Sequence, residues 1–437
     1  MHDGGHTAAY LREEGNMTDK TDPAMQDEKV QRLSRRGFIT RVAGTGAFVA
    51  AGAIPRELWA QAAEAPKPPA DPAGTVPNTA VLAEKSPLMK PHSERPLTGS
   101  VAADAHNFAV TPNDRMFVRN NLLTPDIEAS KHRLTINGLV ENEVSFSVDE
   151  LKKSFPVVSM QGMLECAGSG RAAYVPNASG TPWLPTGGMG CPKWTGVRLR
   201  DVLRAAGVKP GAAHVAGQGG DFGVIASAAP VIRSVPLSKA MEENTLLAFG
   251  MNDGPLPKIH GYPLRLVVPG WVGSASTKWV HTVTLLEAQF KGTFMDSSYR
   301  IPRTAVRPGE KMPPDAVVTE AWPVKSMITY PAPNASFRVG KPVLIEGRAW
   351  VGEGAIDKVE VSFNEGATWQ RAAINSGGDK YAWRIFSYEF WPQTQGYVTV
   401  LARAADETGN VQPIVPAWNP LGYFWNGIHR VGFMVET

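Results

Sequence analysis

Leu164-Glu165-Cys166-Ala167-Gly168-Ser169-Gly170-Arg171 sets one of only two cysteines in the chain among small residues, with an arginine five positions on. Alone, such a cysteine reads as a buried structural one. Its company in chain order changes that. Upstream lies Phe117-Val118-Arg119-Asn120-Asn121. Downstream lie His260-Gly261-Tyr262-Pro263-Leu264-Arg265, Ser276-Thr277-Lys278-Trp279 and the stretch from Gly292 to Tyr299. Guanidinium, amide, imidazole and ammonium groups thus flank the thiol in chain order on both sides.

Around this stretch the chain divides. A length of 437 residues exceeds one compact core, so two folded domains behind a leader are expected. From about Asn107 to Ala321 short apolar runs alternate with glycine and proline. Helices are expected over Val148 to Phe155, Leu199 to Ala206 and Leu237 to Glu243, and strands over His132 to Leu139 and Leu264 to Val268. This is a mixed α+β pattern without regular βαβ repetition. No Gly-x-Gly-x-x-Gly follows a strand, which leaves a dinucleotide fold without support. Beyond Trp322 the character is all-β. Val343 to Trp350, Ile356 to Phe363, Tyr381 to Phe390 and Tyr397 to Ala404 alternate apolar with polar residues, separated by turns such as Asn364-Glu365-Gly366 and Thr408-Gly409-Asn410. An immunoglobulin-like β-sandwich is expected there. The assigned segments are therefore a leader at 1–62, a proline- and alanine-rich N-terminal arm at 63–105, a catalytic domain at 106–321 and a sandwich at 322–437.

The leader reading rests on Ser34-Arg35-Arg36-Gly37-Phe38-Ile39-Thr40 and the glycine-rich apolar run Val42 to Ile54. This order reads as a twin-arginine signal for export, folded, to the periplasm. The run falls well short of the roughly 20 apolar residues of a membrane span, so stable membrane insertion is not expected, an uncleaved anchor being the alternative. Ala60-Gln61-Ala62 suits a signal peptidase, and the long lead-in leaves Met17 or Met25 open as the start. Export after folding suits a protein that takes up its cofactor in the cytoplasm. Cys166 and Cys191 admit one disulfide as the alternative to a free thiol ligand. The absence of Cys-x-x-Cys-His excludes covalent haem, and two cysteines exclude a cysteine-bound iron–sulfur cluster. A net charge of +3 over 44 basic and 41 acidic residues gives no stripe for a phosphate backbone, so nucleic acid is not an expected partner.

The ordered set Arg-Asn-x, Cys-Ala-Gly, His-Gly-Tyr-Pro-x-Arg and Lys-Trp resembles the sulfite oxidase family of molybdopterin enzymes, most closely its Sox-type sulfane dehydrogenase branch. The resemblance runs from about Asp104 to the closing Trp418-Asn419 and His429-Arg430-Val431. It implies a molybdopterin domain followed by the sandwich, the latter serving as a homodimer surface. It also implies a molybdenum–molybdopterin cofactor whose remaining equatorial sulfur is the thiolate of Cys166. Asn120, Asn121, His260, Arg265, Ser276, Thr277 and Lys278 would supply the cationic and hydrogen-bonding partners of a pterin phosphate. Asp221, in the Gly219-Gly220-Asp221 turn, joins them, although aspartate is common in such turns without any ligand. Arg119 and Arg171 are placed by resemblance at the substrate oxyanion, and Tyr299 at an equatorial oxygen, assisting proton movement.

Departures from the family pattern point within it. Leu421 stands where sulfite oxidases carry an arginine, Asn121 where they commonly carry histidine, and Tyr174 to Pro192 looks like an insertion. Together these favour a sulfane-oxidising subunit acting on sulfane sulfur bound to a carrier protein, with oxygen drawn from water. Electrons would pass to a separate c-type cytochrome, in a homodimer or heterotetramer. A sulfite dehydrogenase and a methionine sulfoxide reductase of related fold are alternatives, and a non-enzymatic secreted binding protein is a third.

Overall fold

The computed structural model describes residues 75–437 apart from Pro77, Ala226 and Ser376. The leader expected at 1–62, and the first residues of the expected arm, lie outside the described residues.

The catalytic half is built mainly on two larger sheets. One has five strands in the order Ile232–Pro236, His214–Gly219, Val280–Leu286, Leu134–Gly138 and Val144–Phe146, antiparallel except where Val280–Leu286 runs parallel to Leu134–Gly138. The other runs Gly254–Pro255, Leu246–Met251, Lys193–Arg198 and Val157–Gln161, with Arg265–Val267 also pairing Leu246–Met251. Period-2 alternation explains the first: Leu134 and Ile136 face the core while Thr135 and Asn137 do not. The helix Leu199–Ala206 buries Leu199, Val202, Leu203 and Ala206, the spacing of one helical face, and ends at Gly207 with φ 75°. Val148–Ser154 opens with a capping box. Ser147 Oγ accepts from the Glu150 amide and Glu150 reaches back to the Ser147 amide. The helix expected over Leu237 to Glu243 spans only Leu237–Ala240, because the hydroxyl of Thr245 takes the Lys239 carbonyl and turns the chain away.

The C-terminal half is a sandwich. Lys325–Tyr330, Val343–Trp350, Arg384–Phe390 and Ala373–Ile374 form one sheet. Ser336–Arg338, His429–Glu436, Gly396–Asp406, Ile356–Ser362 and Gln370–Arg371 form the other. Ile345, Val361, Phe386, Val400 and Phe433 meet between them. The strand expected from Tyr381 begins only at Arg384, since Tyr381, Ala382 and Trp383 are drawn into packing against the catalytic half. There Trp383 Nε1 donates to the Ala109 carbonyl at 2.8 Å, and the Met163 amide donates to the Tyr381 carbonyl at 2.8 Å.

The expected arm is corrected over its described part. Residues 78–100 contain a helix, Asn78–Ala83, and a hairpin, Lys90–Glu94 with Leu97–Ser100, whose second strand pairs Val118–Arg119. Val81 and Leu97 pack with Val118 and Ile259. Proline content suggested extension; the few apolar residues between the prolines fold the segment onto the catalytic half. Among the described residues no helix is long and apolar enough to cross a membrane.

Candidate active site

Cys166 follows the two-residue strand Leu164–Glu165, held by its amide donating to the Gly188 carbonyl at 2.8 Å. Cys166 lines a cavity at this point. Of the residues singled out from sequence, Arg119, Asn120, Asn121, Asp221, His260, Arg265, Ser276, Thr277, Lys278 and Tyr299 share that wall with it. They arrive from separate elements: the end of Val118–Arg119, the turn after His214–Gly219, the 3-10 turn Lys258–His260, and the loop between Arg265–Val267 and Val280–Leu286. Both cysteines are free and buried, so no disulfide joins them. Cys191 packs instead among Met163, Met189, Met327 and Trp350.

The wall divides into two polar networks. In one, Lys278 donates to Asn120 Oδ1 and to the Ile259 carbonyl at 3.1 Å, Asn120 Nδ2 donates to Thr124 Oγ1 at 2.9 Å, and Arg265 donates to the His260 carbonyl at 3.0 Å. In the other, Arg119 donates to the Asn120 carbonyl and, at 2.6 Å, to Asn121 Oδ1. Asn121 Nδ2 in turn donates to Tyr299 Oη at 3.2 Å. Tyr299 adopts φ 54°, a left-handed conformation that a tyrosine holds only when its surroundings impose it.

Arg171 does not line the cavity. Its Nε donates to the Leu421 carbonyl at 2.9 Å and its Nη1 to the Thr181 carbonyl at 3.1 Å, and its guanidinium lies 5.1 Å from the ring centre of Tyr423. Tyr423 stacks on Tyr299 with centroids 5.5 Å apart, and Arg233 covers the other face of the assembly, 4.9 Å from Tyr299. Arg171 thus lies against Tyr423, the ring stacked on the cavity-lining Tyr299. Leu421 gives Arg171 its carbonyl while its side chain packs against the catalytic core. Gly170, at φ 91°, lets this turn pass under Trp425, where an added Cβ would come within 2.7 Å of the indole.

The electrostatics point to an anionic occupant. Arg119, Arg265 and Lys278 face a single carboxylate, Asp221. Burial pushes Lys278 well below the ordinary ammonium range, with Arg265, Arg119 and Lys85 adding to it against the pull of Asp221. Burial pushes Arg265 down to about 9 and Asp221 up to about 6, the latter against Lys278. Burial, then Lys85, Arg265 and Lys278, hold His260 well below its usual value. Arg265 Nε and Ser274 Oγ are buried without a hydrogen-bond partner. Buried cations and orphan donors are costly, and an anion bearing several acceptor oxygens relieves both. Among the described residues lining the cavity only Cys166 carries sulfur, so it is the single soft ligand the wall offers. The residues present therefore fit a phosphate-bearing metal cofactor.

Sequence reading missed several groups. Lys85 was hidden in the supposed arm, and Arg233 and Tyr423 carried no motif. Behind Cys166, Glu165 is fully buried and accepts from Lys325 Nζ at 2.7 Å and from Trp350 Nε1 at 2.8 Å. The signal available was a charged residue beside the cysteine and a lysine inside an otherwise apolar strand.

Residues 121–294 match the oxidoreductase molybdopterin binding domain family and residues 316–436 the Mo-co oxidoreductase dimerisation domain family. The chain is 32% identical over 368 residues to mitochondrial sulfite oxidase of Rattus norvegicus, covering 80% of this chain and 66% of that protein. It therefore spans about two thirds of that relative's length. It is 32% identical to sulfite oxidase of Gallus gallus over 364 residues, 79% of this chain and 78% of that one. Among solved structures it resembles the sulfane dehydrogenase SoxCD from Paracoccus pantotrophus, with a TM-score of 0.66 and 31% identity, over 79% of this chain and 84% of that chain.

Proposed function

Because the chain belongs to the sulfite oxidase family of molybdopterin oxidoreductases, we propose that it is the molybdenum-bearing subunit of a periplasmic sulfane dehydrogenase. It would oxidise sulfane sulfur carried on another protein and pass electrons to a c-type cytochrome. The observation that carries this reading is the Cys166 thiol set in the wall of a cavity lined by Arg119, Arg265 and Lys278. His260, Arg265, Lys278 and the Ser276–Thr277 backbone would hold the pterin phosphate, and the Cys166 thiolate the metal. Molybdenum bound there supplies oxygen-atom transfer and two-electron redox chemistry.

The protein's own groups do the rest. Arg119 is aimed by Asn121 and offers positive charge to an oxyanion bound in the cavity. Asn121 donates to Tyr299 Oη, so the phenol proton points away from the amide and can be held or released at that oxygen. The engagement of the Arg171 guanidinium by the Leu421 and Thr181 carbonyls, outside the cavity lining, supports a substrate less anionic than free sulfite. A sulfite dehydrogenase is the second reading, favoured by the identity to sulfite oxidases. The dimerisation domain match supports a homodimer. The Ser34 to Thr40 leader supports export by the twin-arginine route.

Elemental analysis of the purified protein tests the cofactor, with about one molybdenum per chain expected. Steady-state assays with free sulfite and with carrier-bound sulfane, cytochrome c as acceptor, test the substrate. Brisk turnover of sulfite alone would replace the first reading with the second.

A further inference from the structure

Lys85 is buried behind His260, one of the residues that line the cavity. Its ammonium stands 2.6 Å from the Asn113 carbonyl, 3.1 Å from the Met116 carbonyl and 2.6 Å from His260 Nε2. Three hydrogens meet three acceptors, so Nε2 accepts and the imidazole proton sits on Nδ1. Should the shared proton cross to Nε2, the amine keeps two N–H groups for the two carbonyls, and the imidazolium still carries hydrogen on Nδ1. In either of these protonated arrangements Nδ1 is a donor, whereas a neutral amine accepting from Nε2–H would leave Nδ1 bare.

The segment that brings Lys85 here also grips the neighbouring wall. Thr98 and Gly99 pair with Arg119 and Val118, the Asn120 amide donates to the Leu97 carbonyl at 3.3 Å, and the Val76 amide donates to the Thr124 carbonyl at 3.2 Å. Val81 and Leu97 pack on Val118 and Ile259. The stretches bearing Arg119, Asn120 and Asn121 on one side and His260 on the other are thus held by one N-terminal segment.

We propose that Lys85 is a positioning residue for the anionic cofactor, pinning His260 as an Nδ1–H donor against the Asn113–Met116 loop so that the N-terminal segment clasps the phosphate-binding wall and slows cofactor loss. The inference rests on reading the cavity as the site of a phosphate-bearing pterin. It assigns a retention function to a stretch whose composition reads as a linker.

The test uses the full-length holoprotein, dialysed, with released pterin followed by fluorescence after oxidation. K85M is expected to lose pterin about ten-fold faster than wild type, the scale on which supporting partners of a bound group act. In an H260A background K85M is expected to add nothing, because Lys85 acts through that ring. Wild-type retention in K85M, or equal acceleration by K85M with and without His260, overturns the proposal. In 15N-histidine-labelled wild type the His260 signal is expected in the Nδ1–H form, and a neutral Nε2–H form overturns the proposal even if K85M fails to fold. A wild-type protein carrying no pterin overturns the cofactor reading itself, an outcome distinct from a loaded K85M that holds its pterin.

Discussion

On the proposed reading Cys166 and Tyr299 bear the chemistry most directly, and each can be separated from the fold. Cys166→Ser replaces a soft thiolate by a hard, weakly acidic hydroxyl of similar size, so molybdenum content and turnover are expected to vanish while far-ultraviolet circular dichroism stays unchanged. Tyr299→Phe keeps the ring stacked on Tyr423 and removes only the hydroxyl that Asn121 contacts. Turnover is expected to fall about 10²-fold with a smaller change in KM, read from steady-state kinetics. Most cavity residues were legible in the sequence because polar groups at a thiol recur in a fixed order. Arg171 was legible as a motif residue but not in its placement. Whether its guanidinium faces the cavity or the Leu421 and Thr181 carbonyls depends on a loop some 250 positions away, a contact that no local pattern encodes.

Strands and helices followed their periodicity closely where a single face is buried, as in Leu199–Ala206 and Val343–Trp350. They departed where tertiary partners intervened, as at Tyr381 to Trp383. Ser147→Ala removes the hydroxyl half of the capping box and is expected to cost about 1 kcal/mol in denaturant unfolding. Lys325→Met should cost more, about 3–5 kcal/mol, because it leaves the Glu165 carboxylate buried without its ammonium. Glu165→Gln in the same chain should recover much of that loss, which a comparison of the single and double variants by chemical denaturation would check. The N-terminal hairpin was not legible as structure. Its apolar residues are too few to show a period, and their burial is decided by Val118 and Ile259.

Across the whole molecule, buried histidines set an acid limit. Burial pushes His106 and His429 each down to about 4 from an ordinary 6.5, with Arg348 and Arg115 adding to the first and Lys325 to the second. His429 Nδ1 accepts from the Ile328 amide at 3.1 Å, a bond that protonation would break. Between about pH 6.5 and 4 the unfolded chain binds protons the folded one refuses, so stability falls as pH falls, by about 1.4 kcal/mol per pH unit for each histidine. Unfolding midpoints at pH 7 and pH 5 would register the loss, and an unchanged midpoint would contradict it. The two-domain division was readable from the shift to short alternating runs after Trp322. The way the halves join was not, because it rests on Glu165 of the catalytic half meeting Lys325, which the sandwich flanks with Trp350 and Trp425. That junction constrains protein engineering. A chimaera that grafts a foreign sandwich behind Trp322 must bring its own ammonium to the inner face, or the strand leading into the Cys166 thiol inherits a stranded negative charge and the transplant fails beside the proposed reaction centre.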